Sequence, residues 1–339
     1  MENLGGGYDI GQVIVTNLLS APILFFLLGF LMGVLKSDFK EPEAMGTAMS
    51  IFLLVSIGLK AGIGVNLVGV KTVALLAVSS ALIGSVIAIY SYFLLLKVFR
   101  LDHANAGSMA GHYGAVSSAT LVLSMSFLEV IGVPFEAYMA AAYPFMDVIA
   151  IVTAIVLARL GMNATAKSTE ENVNASIVSI IQGAITSRVV LLMVGSVVVG
   201  FLIGKERLAT EMAFFDTMFR GVLTLFLLGM GNVAASRLHE LRHVNKYIIL
   251  FAMIAPLING SLGVVAGSLI GLSPGGCTVL AAMAAGASYV TAPVEMRAAL
   301  PSANPSLGLV TALGITFPVN VAIGLPLYYR LAETLVGVF

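Results

Sequence analysis

Ten apolar stretches, each long enough to cross a lipid bilayer, divide this 339-residue chain. A helix needs about 20 apolar residues to span a hydrocarbon core about 30 Å thick. The stretches run at roughly 18–36, 44–66, 70–97, 104–128 and 136–160, then at 186–204, 213–235, 246–271, 276–298 and 306–334. Backbone polar groups in lipid must find partners inside the protein, which leaves helices or closed barrels. A barrel would alternate apolar and polar residues over ten-residue segments, and these runs are continuous. The predicted class is therefore an all-α polytopic membrane protein. Composition agrees: charged residues make up 10% of the chain, against about 25% in soluble domains.

Seventeen Lys and Arg balance 17 Asp and Glu. Zero net charge and the lack of a basic stripe remove the long-range pull of a nucleic-acid binder. Cys277 is the single cysteine, which excludes an internal disulfide and a cysteine-based metal cluster. No Lys or Arg precedes Lys36, so the start lacks the basic region of a cleaved signal peptide and the first span is expected to be retained. With both termini extracytoplasmic, eleven Lys and Arg fall on the cytoplasmic side and six on the other. That is the asymmetry of an inner-membrane protein with the positive side in. Lys60 is expected to snorkel from the outer end of the second span.

The two halves echo each other. Gly29-Phe30-Leu31-Met32-Gly33 matches Gly200-Phe201-Leu202-Ile203-Gly204, 171 residues later. Phe52-Leu53-Leu54 recurs as Phe226-Leu227-Leu228 and Pro144 as Pro318, both at 174. Shared offset and order make the matches informative where each alone is weak. Five spans per half is an odd number, so the second half enters the membrane from the opposite side. The reading is a first five-helix repeat over 1–160, a polar cytoplasmic linker over 161–185, and an inverted repeat over 186–339. Such repeats place substrate and coupling-ion sites near the midplane, where broken helices meet.

Two breaks are predicted. The fourth span contains Gly111-His112-Tyr113-Gly114-Ala115-Val116-Ser117-Ser118-Ala119-Thr120, and the ninth contains Gly286-Ala287-Ser288-Tyr289-Val290-Thr291-Ala292-Pro293. Ser117 and Thr291 are 174 apart. Pro293 lacks a backbone donor and disfavours helix at Ala292. Two half-helix starts facing each other, with hydroxyls adding donors, make a small anion site. Close packing of small residues is the competing reading, as at Gly29/Gly33 and Gly263/Gly267/Gly271. His112 reads as a hydrogen-bonded structural residue rather than a proton carrier. Asp147 lies inside an apolar run. An intramembrane carboxylate costs about 2.5–3.5 kcal/mol on insertion scales, which makes it a functional candidate. Asp147, Asn320 and carbonyls near Pro144 and Pro318 are oxygen donors suited to Na⁺. Proton carriage and a snorkelling helix-end carboxylate are the alternatives for Asp147.

These segments resemble the SbtA family of sodium-dependent bicarbonate transporters. The likeness is most specific at Tyr143-Pro144-Phe145-Met146-Asp147 and Leu300-Pro301-Ser302-Ala303-Asn304-Pro305-Ser306, with support from Gly114-Ala115-Val116-Ser117 and Ile57-Gly58-Leu59. The resemblance implies ten helices in two inverted repeats, core and gate domains, elevator movement, trimers, and Na⁺-coupled bicarbonate uptake. It places substrate contacts at Gly114, Ala115, Val116, Ser117, Ser118 and Thr120, and at Ser288, Tyr289, Val290 and Thr291. It places the ion-binding carboxylate at Asp147. The family pattern carries an acidic residue near the position of Tyr289, and a longer cytoplasmic loop near where the PII-like regulator SbtB docks.

The resulting expectation is a secondary transporter with sodium as coupling ion and no other cofactor. Another anion, or a proton in place of Na⁺, keeps the fold and changes the cargo. A channel is a further alternative. An intramembrane enzyme is disfavoured, because no second carboxylate, Gly-x-Ser-x-Gly elbow or His-Glu-x-x-His pair accompanies Asp147.

Overall fold

A computed structural model describes residues 10–39, 41–166, 181–183, 185–211, 213–242 and 244–336. Most of the expected linker, 167–180, lies outside them. The described chain is helical, with no strand. In order the helices are α1 (Ile10–Leu18), α2 (Ala21–Val34), α3 (Glu43–Val68), α4 (Val70–Lys97), α5 (His103–Gly114), α6 (Ser118–Val130) and α7 (Tyr143–Ala166). Then come α8 (Arg188–Glu211), α9 (Ala213–Leu241), α10 (Lys246–Leu269), α11 (Pro274–Ala285) and α12 (Thr291–Ala299). The last, α13 (Pro305–Val336), contains two wide π-helical turns, Ala312–Thr316 and Asn320–Gly324.

Among the described residues seven spans are long and apolar enough to cross a bilayer, α5 and α6 together forming one of them. The pair α1 and α2, bent by 63°, makes an eighth. That bend follows from Ser20 in an extended conformation and Pro22 in the first turn of α2. Two further apolar helices, Arg188–Gly204 of α8 and Pro274–Ala285 of α11, are shorter. Gly204 interrupts α8 with φ +71°.

Two groups of helices pack together. In the first, α2 lies on α9 and α3 on α8. Both contacts are backbone-close: a Cβ on Gly29 would overlap the Leu228 carbonyl, and one on Gly62 would overlap the Val197 carbonyl and the Phe201 amide. In the second group α4, α5 and α7 pack mutually, as do α10, α11 and α13. The broken spans join these two triplets, with α6 on α11 and α12 on α5. The α5–α6 span is the most enclosed of all, 89% of its apolar window being buried against 44–61% for the other spans.

Several expectations about single residues can be placed. Gly29, Gly33, Gly263 and Gly267 do serve close packing, Gly263 against Ala281 and Gly267 against Cys277. Gly271 does not: its φ is +78° with open space around it, and it turns the chain from α10 towards α11. Lys60 forms an ion pair with Asp216 at 2.7 Å and lies over the Phe219 ring, tying α3 to α9. Two polar clasps hold the loops beside the breaks. Glu136 accepts the N–H at 2.7 Å of Ser273, the residue that caps α11, while Asn105 at the start of α5 accepts the Asn304 N–H at 2.8 Å.

The α3–α8 contact predicts a contrast. Gly62→Leu must force apart two backbones and should cost about 1–3 kcal/mol, read as a lower melting temperature in detergent. Gly195→Leu, on the open face of the same helix pair with no atom near its Cβ, should leave the melting temperature unchanged or raise it.

Candidate functional site

The first break is short. Helix α5 ends at Gly114, and Ala115 takes an extended conformation (φ −84°, ψ 154°). Ser117 then caps α6, its Oγ accepting the Thr120 N–H at 3.3 Å. A Cβ on Gly114 would come within 3.1 Å of Ala88, Ala150 and the Gly84 carbonyl, so the chain leaves the helix where α4 and α7 both press on it. The second break spans Gly286–Val290. Gly286 is extended (φ −64°, ψ 155°), and the Ser288 Oγ accepts the Ala292 N–H at 3.2 Å. Pro293 does not end a helix here. It sits in the first turn of α12, where its missing N–H would have had no partner, and Ala292 is helical.

The two breaks touch. The Ser288 N–H donates to the His112 carbonyl at 2.8 Å, and His112 Nδ1 donates back to the Ser288 carbonyl at 2.7 Å. A carbonyl cannot donate, so the Nδ1 proton is fixed by this geometry. Gly286 packs so closely on Ser117 that a Cβ there would lie 2.9 Å from the Ser117 nitrogen. His112 thus has the structural role its sequence context suggests, and what it holds is the crossing of the two broken spans.

Around that crossing the predicted residues fall into three sets. Asp147, fully buried on α7, accepts the Val116 N–H at 3.0 Å through Oδ1, while its Oδ2 is buried without a protein partner. Thr291 lies beside both Asp147 and Tyr143, and Tyr289 beside Ser117, near enough to interact but short of hydrogen-bond geometry. The hydroxyls of Thr120, Tyr289 and Thr291 are likewise buried and unpartnered. Gly114 and Ala115 contribute backbone shape, Ser118 opens α6, and Val290 precedes α12. Asn320 stands apart from the first set. Its Nδ2 donates to the Ala285 carbonyl at 2.8 Å, closing the end of α11, and its Oδ1 accepts the Tyr328 O–H at 2.8 Å.

Two residues outside the predicted set belong to the site's frame. Tyr143 donates to the Val116 carbonyl at 3.3 Å, so both exposed groups of the Val116 peptide neighbourhood are met from α7. Its position one helical turn before Asp147 is the signal that finds it. Tyr328 holds Asn320 from eight residues away and carries no comparable local signal. Chemically the crossing offers unpaired hydroxyl donors for an anion and one bare carboxylate oxygen for a cation. A fully buried charge without a partner is expensive, so the carboxylate needs a proton or a cation. No group of three or more metal-ligating His, Cys, Asp or Glu side chains occurs among the described residues.

The clamp makes a prediction. His112→Ala leaves the Ser288 carbonyl buried and unpaired and should cost about 1–3 kcal/mol of stability, measured as a fall in melting temperature. His112→Asn, whose amide nitrogen sits near the place of Nδ1, should recover much of it.

No curated protein matches the chain. A family model does, described as the Na⁺-dependent bicarbonate transporter superfamily and matching residues 21–333. That match takes in both broken spans, both clasps and Asp147, and the chain belongs to the Na⁺-dependent bicarbonate transporter superfamily.

Proposed function

We propose that this transporter imports bicarbonate together with Na⁺, the cation at Asp147 and the anion at the crossing of the broken spans. The observation that carries the reading is Asp147 Oδ2. It is a fully buried carboxylate oxygen without a hydrogen bond in the protein, on a side chain beside Thr291 at the crossing of the broken spans. Ser117, Ser118, Thr120, Ser288, Tyr289 and Thr291, with the backbone N–H groups at the starts of α6 and α12, would hold the anion. Ser117 Oγ spends only an acceptor position on its cap, so its hydroxyl proton stays free to donate. Tyr289 adds a neutral donor where a carboxylate would repel the anion.

Coupling then has a simple electrostatic origin. Without Na⁺ the carboxylate disfavours a second negative charge in the same low-dielectric region. With Na⁺ the region accepts bicarbonate, so each ion raises the affinity for the other.

The proposed architecture is ten spans in two inverted repeats, the shorter α8 and the α11–α12 pair completing the count. Reciprocal packing supports it. The first span of one half lies on the second of the other in both pairings, and each half contributes one triplet around its broken span. Movement of the triplets against the α2, α3, α8 and α9 group would carry the site across as an elevator. A homotrimer in the inner membrane, with both termini outside, completes the reading. A PII-like regulator would meet the cytoplasmic face.

In proteoliposomes at a pH of about 8, labelled bicarbonate uptake should saturate and require an inward Na⁺ gradient. Asp147→Asn should abolish the Na⁺ dependence, and normal Na⁺-driven uptake in that variant would sink the assignment. Uptake driven equally by a proton gradient would make H⁺ the coupling ion. Competition by acetate, formate, sulfate or nitrate would move the cargo to another anion.

A further inference from the structure

The two halves are unequal at the one position where a cation is proposed. Asn320 lies 173 residues beyond Asp147, one residue short of the 174-residue offset that pairs Pro144 with Pro318, and both side chains are fully buried. Each reaches the broken span of its own half. Asp147 accepts a hydrogen bond from a backbone N–H there, whereas Asn320 donates one to the backbone carbonyl of Ala285. The amide cannot be turned round, because the Ala285 carbonyl only accepts; the nitrogen must face it. With the nitrogen so placed, Asn320 Oδ1 faces the Tyr328 hydroxyl at 2.8 Å, whose single proton also has the Pro256 carbonyl within 2.9 Å.

A cation bound at a helix C-terminal end is held by carbonyl oxygens, with a carboxylate supplying the charge. At α11 the helix-end carbonyl is already met by a positively polarised N–H of Asn320. Asp147 is moreover the only acidic side chain that is buried among the described residues. We infer that the Asn320 amide takes the place of a second coupling cation, so that the transporter loads one cation per anion and Asn320 sets that number. This rests on the sodium-coupled reading above. Its consequence is charge balance: one Na⁺ moving with one bicarbonate carries no net charge, and transport does not respond to membrane potential.

The substitution that reverses the logic is Asn320→Asp. It would set a carboxylate oxygen against the Ala285 carbonyl, two acceptors with no donor between them, at a distance now spanned by a hydrogen bond. A second cation relieves that contact.

The experiment measures initial ²²Na⁺ and ¹⁴C-bicarbonate fluxes together in proteoliposomes, with valinomycin and K⁺ setting the potential. Wild type should give a one-to-one flux ratio, hyperbolic Na⁺ activation and the same rate at zero and inside-negative potential. Asn320→Asp should give sigmoidal Na⁺ activation and uptake that an inside-negative potential accelerates. A two-to-one ratio with potential-driven uptake in wild type overturns this inference and leaves sodium coupling intact. So does a folded Asn320→Asp that keeps hyperbolic activation and potential independence. Bicarbonate flux without Na⁺ flux overturns the sodium reading and this inference with it. Should Asn320→Asp fail to fold, the wild-type ratio decides alone.

Discussion

Breaking a helix inside an apolar bundle frees backbone N–H and carbonyl groups that no water can reach, and the centre of this protein is organised by how those groups are met. Some are met from within. His112 and Ser288 exchange two hydrogen bonds across the crossing, and Ser117 and Ser288 cap the half-helices that follow each break. Others are met from neighbouring spans, by Tyr143 and Asp147 on one side and Asn320 on the other. On Asp147 and the two broken spans, the buried side-chain atoms still lacking a hydrogen bond among the described residues are Asp147 Oδ2 and the Thr120, Tyr289 and Thr291 hydroxyls. In the proposed mechanism these are the groups that the cargo ions would meet.

The surrounding packing serves the same end. Helices α4, α5 and α7 on one side and α10, α11 and α13 on the other hold one broken span each. Helices α2, α3, α8 and α9 meet across glycines with nothing between their backbones. These contacts are tight, and the ends of the broken spans are pinned by Glu136 at α11 and by Asn304, whose N–H is held by Asn105 in the first turn of α5. The proposed elevator movement would carry these triplets as a unit and leave the crossing undisturbed.

Much of this is legible in the sequence. The stretch 70–97 is α4 to the residue, and 246–271 ends two residues beyond α10. Both breaks stand out as glycines and hydroxyls in otherwise apolar runs. What is not legible depends on partners distant in the chain. Ser20 and Pro22 bend the first span, although nothing nearby separates them from an ordinary helix start. Gly271 has the spacing of a packing glycine, and only its φ shows that it turns the chain. Pro293 reads as a helix breaker, but Gly286 has already broken the helix and the proline falls where it is tolerated. Asn320 reads as an oxygen ligand, and its orientation is decided by a carbonyl 35 residues away.

The most direct test of a cation at Asp147 is binding without transport. Purified protein in detergent should be stabilised by Na⁺ added at constant ionic strength, with choline as the balancing ion. A ligand at 100 times its dissociation constant adds about 2.7 kcal/mol, so the melting temperature should rise and then saturate. Asp147→Asn should show no such rise. Equal stabilisation by Na⁺ in wild type and Asp147→Asn, or none in wild type, would contradict the account.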